Sequence, residues 1–169
     1  MIGDFDKAFS IVVYEEGGTD PDRAYQSPEQ AIARGDSGGE TKFGISKKAY
    51  PNLDIKNLTL DQAKEIYNSE YWVKIKGDQL PWPLCLFVFD SAINQGVDAA
   101  IKMLQKTVGV AQDGILGRDT LAVATKANQF KSAQFMAVRG LRYTGTRGFD
   151  VDGKDWFTRL FDVAMKSST

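Results

Sequence analysis

The stretch Leu84-Cys85-Leu86-Phe87-Val88-Phe89, extended by Ala92 and Ile93 and closed at Gly96, constrains the fold more than any other feature of the chain. Read at helical period it is apolar on nearly every side, and a helix without a polar face has to be wrapped by other elements rather than laid on a surface. It falls short of the roughly 20 apolar residues that cross a bilayer. The rest of the chain must therefore supply one-sided, amphipathic elements that enclose it. Asp90 and Asn94 interrupt the run one turn apart. Either they share a buried hydrogen-bond network or they face a substrate groove. Cys85, the single cysteine, lies inside the same run, where a buried unreactive thiol is expected and an internal disulfide is ruled out.

The enclosing elements are legible on both sides of it. Phe5, Ala8, Phe9, Val12 and Val13 recur at three and four residues and predict a helix over residues 4–16, ended by Gly17-Gly18. Thr59-Leu60-Asp61-Gln62 has the form of a capping box, and Ala63, Ile66, Tyr67 and Tyr71 continue it as a helix that stops before Pro81-Trp82-Pro83. Beyond Gly96, Asp98 can cap a helix through Lys106, Gly109 to Gly117 turns, and Asp119 or Thr120 opens a short helix to about Ala127. Phe130, Ala133, Met136, Ala137 and Leu141 define a further helix. Trp156, Phe157, Leu160, Phe161 and Ala164 define the last, after a Gly-rich stretch from Thr144 to Gly153. Only Thr19 to Pro51 lacks long periodicity. Its prolines and glycines predict loops with short strands around Thr41-Lys42-Phe43-Gly44-Ile45, and a loop-rich segment of this length inside a compact domain is usually functional. The sum is a mainly α chain, a helical bundle with a small irregular or β lobe near its N-terminus, organised as residues 1–83 and 84–169 within one compact domain.

Composition narrows the chemistry. The chain has no histidine, which removes Ser-His and Cys-His nucleophilic pairs and the His-ligated zinc sites of most metallohydrolases. Catalysis, if present, rests on carboxylates, and glycoside hydrolysis is the common hydrolytic chemistry that needs only Asp and Glu. No metal and no organic cofactor are expected. Lys and Arg number 21 against 22 acidic residues, so no overall cationic excess points to nucleic acid. Gly38-Gly39 is followed by no Gly-Lys-Ser/Thr and is not a phosphate loop. Gly38, Gly39 and Gly44 are expected to allow positive φ or close backbone approach. Residues Met1 to Lys7 lack the basic stretch and apolar run of a secretory signal, so the chain is expected to be made in the cytoplasm.

Among the carboxylates, Glu16 stands out. At about 100° per residue it falls within roughly 15° of the mean direction of the first helix's apolar stripe, whereas Glu15 lies about 90° away. A carboxylate aimed toward the core side at a helix C-terminus is partly desolvated and sits at the negative end of the helix dipole, and both effects raise its pKa. A retained proton is what a general acid needs. The alternative is an ordinary helix-end carboxylate in solvent. Asp36 and Thr41 follow on a turn-rich segment, where Asp36 can equally bond nearby backbone amides and Thr41 can be a strand-start hydroxyl.

Glu16-Gly17-Gly18, then Asp36-Ser37-Gly38-Gly39-Glu40-Thr41-Lys42-Phe43-Gly44-Ile45-Ser46, resemble the signature of glycoside hydrolase family 108, whose members are N-acetylmuramidases found mainly as phage and prophage endolysins. Leu58-Thr59, Gln62-Ala63, Ile66-Tyr67, Tyr71-Trp72 and Phe89-Asp90 with Asn94 and Gly96 extend the match. Leu104-Gln105, Asp113-Gly114, Gly117 and Thr120 resemble the peptidoglycan-binding-like half that accompanies this family, and Trp156 and Arg159 its closing helix.

The resemblance implies a lysozyme-like α+β fold with a substrate cleft beside the small lobe, and cleavage of the β-1,4 bond between N-acetylmuramic acid and N-acetylglucosamine. It implies Glu16 as catalytic acid, with Asp36 and Thr41 assisting or positioning the attacking water. Thr19 to Gly35 is inserted where family members carry a short loop, so Asp20 and Asp22 compete with Asp36 for the second role. Asp90 and Asn94 are the candidate substrate-binding pair. The expected partner is the peptidoglycan glycan strand, met as a monomer in the periplasm or wall after a holin permeabilises the membrane. A lytic transglycosylase acting on the same bond, or a catalytically silent wall-binding or virion protein, are the other readings.

Overall fold

The structure is a computed structural model, and it describes residues 2–15, 24–33 and 39–168. By contact the chain divides into two compact units, Phe9–Asn68 and Met1–Ala8 with Ser69–Thr169, so the division falls at residues 8/9 and 68/69 rather than at 83/84. The eight α-helices among the described residues are α1 (Phe5–Glu15), α2 (Pro28–Ala33), α3 (Leu60–Tyr67), α4 (Leu84–Gln95), α5 (Val97–Val108), α6 (Arg118–Ala124), α7 (Gln129–Thr144) and α8 (Phe149–Lys166).

In the larger unit α4 occupies the centre, as an all-round apolar helix must. Every residue from Leu84 to Ala92 is buried, and α5 and α7 pack against it. α5 also packs on α6 and α7, and α7 on α8. The helix calls for an enclosing wall on several sides, and four of the predicted helices, α5, α6, α7 and α8, supply or continue it. The boundary between α4 and α5 is a single residue, Gly96, at φ 89°. Gly96 is at once the last cap of one helix and the first of the next, which leaves Asp98 inside the first turn of α5. Asp98 therefore does not cap α5, contrary to the sequence expectation, and instead pairs with Lys102 at 2.9 Å.

The last helix begins at Phe149 and so absorbs part of the stretch expected to be a Gly-rich connection. Gly153 is buried within it, and a Cβ there would overlap the Phe149 ring. The glycine serves packing within a helix rather than ending one.

The smaller unit holds the sheet. β1 (Tyr25–Gln26), β2 (Thr41–Lys42) and β3 (Ile45–Ser46) are antiparallel in the order β1-β2-β3, with Thr41 opposite both Gln26 and Ser46. Phe43 and Gly44 join β2 to β3 at φ 51° and 77°, the paired positive values of a tight hairpin turn. A phenylalanine pays strain there, offset by complete burial of its ring, and its carbonyl accepts a hydrogen bond from the Tyr67 hydroxyl at 3.0 Å. Phe9 meets Tyr67 edge-on at 5.6 Å, tying α1 to α3 within this unit. The capping box at α3 forms in both directions: Gln62 N–H to Thr59 Oγ1 at 3.2 Å and Thr59 N–H to Gln62 Oε1 at 2.9 Å. α3 stops at Tyr67 and runs on as a π-turn over Asn68–Trp72, a change that no local residue pattern announces.

That π-turn delivers Trp72, 1% exposed, into the core of the larger unit. Its ring meets Phe89 edge-on at 5.4 Å and Phe5 at 5.5 Å, and its Nε1 donates to Asp78 Oδ1 at 2.8 Å. A side chain on Gly77 would overlap the same indole. Gly77→Ala is accordingly expected to destabilise the protein by about 1–3 kcal/mol through overpacking, read as a lower urea midpoint at unchanged slope.

Candidate active site

Helix α1 carries the predicted stripe: Ala8, Phe9, Val12 and Val13 are all buried. It ends at Glu15. Glu16, Gly17, Gly18, Asp20, Asp22, Asp36 and Gly38 lie outside the described residues. Thr41 is described. It is half-buried in the central strand of the sheet, and its hydroxyl donates to the Gly39 carbonyl at 3.3 Å, a long contact that leaves the oxygen's lone pairs able to accept from water. Gly39 and Gly44 take the positive φ values expected of them, 73° and 77°.

Next to Thr41, Glu40 accepts a 2.8 Å hydrogen bond from the Tyr25 hydroxyl. That bond to a carboxylate, with burial and the negative charge adding to it, raises the phenol's pKa above its ordinary value. The pairing of residues 25 and 40 depends on the β1-β2 register, which the intervening segment hides.

Asp90 resolves the choice between network and groove. It is wholly buried, its Oδ2 takes Arg139 Nη1 at 2.5 Å, and its Oδ1 takes Arg159 Nε and Nη2 at 3.0 and 2.6 Å. Asn94 Nδ2 adds a longer bond to Oδ1 at 3.3 Å and donates to the Asp90 carbonyl at 2.7 Å. A carboxylate so occupied cannot reach a ligand, which corrects the expectation that Asp90 binds substrate. Burial would push its pKa up, but the two guanidiniums outweigh burial and hold it below the ordinary aspartate value. Asn94 is exposed at the end of α4, with a side chain that reaches both the network and the surface.

Arg139, fully buried, and Arg159 were not anticipated as partners of Asp90. An aspartate on an apolar helix does announce that some cation must meet it; which one depends on how α7 and α8 are placed.

Gln105 is likewise consumed by structure. Its Nε2 donates to Asp113 Oδ1 at 2.6 Å and lies within bonding distance of the Ile115 carbonyl and Thr120, while its Oε1 accepts from Gly114 N–H at 3.0 Å. Cys85 is buried and its thiol is pushed up to about 11, chiefly by burial. It stays protonated and unreactive. Among the described residues no three Asp, Glu or Cys side chains gather as a metal site would require.

Mainly helical, with one small antiparallel sheet, the architecture is of the lysozyme-like α+β class. The family model of glycosyl hydrolase 108 matches residues 9–96, a segment that spans Glu16, Asp36, Thr41, Asp90 and Asn94. The solved structure of Brucella abortus SagA superposes with a TM-score of 0.78 at 34% identity, over 96% of this chain and 92% of that one. No curated protein matches the sequence. The chain belongs to the glycosyl hydrolase 108 family, a family of peptidoglycan-degrading glycosidases.

Removing the negative charge of Asp90 leaves two guanidiniums facing a neutral amide. Asp90→Asn is expected to cost about 3–5 kcal/mol at pH 7. Because the folded pKa of Asp90 is depressed, its contribution is complete above the unfolded value of about 3.9 and is lost as pH falls through the folded value. The stability gap between wild type and Asp90→Asn should therefore narrow below about pH 4 in urea titrations; a constant gap would show that charge plays no part.

Proposed function

We propose that the protein is an endolysin of phage or prophage origin that hydrolyses the β-1,4 bond between N-acetylmuramic acid and N-acetylglucosamine. The observation that carries this reading is the family match across residues 9–96, which contains Glu16-Gly17-Gly18 and Asp36 through Thr41 in order. Glu16 protonates the glycosidic oxygen, and the leaving sugar departs as the anomeric carbon takes on oxocarbenium character. Asp36 accepts the proton of the attacking water, and Thr41 holds that water through its hydroxyl. Support for Glu16 also comes from the sequence, where the helical period of Phe5, Ala8, Phe9, Val12 and Val13, continued by one residue, favours Glu16 over Glu15. The enzyme works as a monomer without metal or cofactor, at the periplasmic wall that it reaches once a holin has opened the membrane.

Glu16→Gln keeps the shape and removes the transferable proton. On purified cell walls it should lower the rate of turbidity loss by at least ~10²-fold, the low end for general-acid assistance. An unchanged rate, or no loss with the wild type, rejects the assignment. Mass spectrometry of the released muropeptides should show reducing muramic acid ends. Anhydromuramyl ends would instead identify a lytic transglycosylase, which needs one carboxylate and no water.

A further inference from the structure

The sheet of the smaller unit has two unlike faces. Tyr25 stands opposite Lys42 and Lys42 opposite Ile45, so these three side chains share one face. It is the core face: Ile45 is 3% exposed and Lys42 9%, with the Lys42 ammonium donating to the Lys56 carbonyl at 2.9 Å. The adjoining rung turns the other way. Gln26 stands opposite Thr41 and Thr41 opposite Ser46, which brings one amide and two hydroxyls into a row across all three strands, each residue half-buried. Just beyond this rung Lys47 N–H donates to the Glu40 carbonyl at 2.8 Å. Thr41 and Ser46 thus form a pair between hydrogen-bonded rungs, the kind in which facing side chains stand closest.

Two members of the row have partners within the unit. The Thr41 hydroxyl donates to the Gly39 carbonyl, and Ser46 Oγ accepts from Ala49 N–H at 3.3 Å. Gln26 Nε2 is shielded from solvent and has no hydrogen-bond partner among the described residues. A buried donor left unpaired is costly, and an acceptor oxygen brought by a ligand satisfies it. The row also has two heights. The hydroxyls of Thr41 and Ser46 are borne on Cβ, next to the sheet, whereas the Gln26 amide is carried two carbons farther from the backbone. It can reach past a water held at Thr41 to the sugar that the water attacks.

We infer that Gln26 is a substrate-binding residue that reads an acetamido group of the glycan, with Nε2 donating to the acetamido carbonyl beside the water held by Thr41. A side-chain amide and an acetamido group each offer one N–H side and one C=O side, so they match donor to acceptor. A polar group placed to bond a substrate rejects the analogue that lacks the partner, because it is then left unpaired. Gln26 belongs to the Thr19–Gly35 stretch that lengthens the chain between Glu16 and Asp36, and that stretch therefore adds both a strand, β1, and a sugar contact. Both N-acetylglucosamine and N-acetylmuramic acid carry the group. This step rests on the glycan being the substrate and on Thr41 holding the water.

Ligand-observed NMR titration of the full chain with three disaccharides tests it: N,N′-diacetylchitobiose, N-acetylglucosaminyl-β-1,4-N-acetylmuramic acid, and cellobiose, which has hydroxyls in place of acetamido groups. Neither acetylated probe contains the bond the enzyme would cut. At least one of them should bind more tightly than cellobiose. Gln26→Leu and Gln26→Glu remove the donor at similar size, and each should weaken that binding about 5- to 10-fold while leaving cellobiose unchanged. Loss with both acetylated probes names the glucosamine acetamido group, and loss confined to the second names that of muramic acid. In the free protein Gln26→Leu should unfold at the wild-type temperature or above it, since it removes an unpaired donor.

Equal weakening of all three disaccharides with a lowered unfolding temperature marks a merely structural residue and overturns the inference. So does unchanged affinity in both folded variants, or a wild type that does not distinguish either acetylated probe from cellobiose. Wall clearance that depends on Glu16, with sugar binding indifferent to Gln26, would remove the contact and leave the function standing. Binding that depends on Gln26 in a protein whose Glu16→Gln variant clears walls as wild type does would remove the catalytic assignment and leave the contact.

Discussion

Helix α4 is enclosed on all sides and nevertheless carries an ionised side chain, and much of the larger unit is arranged around that conflict. Dehydrating a carboxylate and two guanidiniums costs several kcal/mol per ion, so the Asp90 cluster is weak evidence of net stability. Its consequence is registry. Arg139 lies on α7 and Arg159 on α8, and each must stand at one rotation and one height for its nitrogens to meet the two oxygens of Asp90. Apolar packing alone tolerates sliding by a fraction of a turn, whereas hydrogen bonds of 2.5 to 3.0 Å do not.

The same cluster fixes the end of α4. Asn94 donates to both the side chain and the carbonyl of Asp90, and Ser91 donates to Gln95 Oε1 at 2.9 Å, so the polar residues of the last turn are held in place before the chain turns at Gly96. Asn94 and Gln95 then line a cavity whose other walls come from the helices that carry Arg139 and Arg159. A structural ion cluster and a surface recess thus share Arg159.

Helices were legible where the sequence carries their period and their stops. α4 begins at Leu84 and closes at Gly96 as read, and the Thr59-Gln62 capping box forms in both directions. The errors have one physical origin. Gly153, read as a connection, is a glycine inside α8 because Phe149 occupies the space a side chain would need, and Asp98, read as a cap, is displaced by a Gly96 shared between two helices. Each depends on a neighbour outside the local window. The candidate site divides in the same way: Glu16, Asp36 and Thr41 are singled out by motif alone, the first two outside the described residues, while the Tyr25–Glu40 bond and the partners of Asp90 follow from register and helix placement.

The absence of histidine ties the chemistry to this electrostatic layout. No side chain with an ordinary pKa titrates between about pH 5 and 8, and the one thiol is pushed to about 11. The two guanidiniums hold Asp90 below the ordinary aspartate value, so its carboxylate stays ionised across neutral pH. A catalytic acid in such a background is the principal group free to lose its proton there, and the alkaline limb of a kcat/KM profile reports that group in the free enzyme. In the proposed enzyme the two charge systems are separate: guanidinium charge holds the helices in register, and proton transfer falls to a carboxyl outside that cluster.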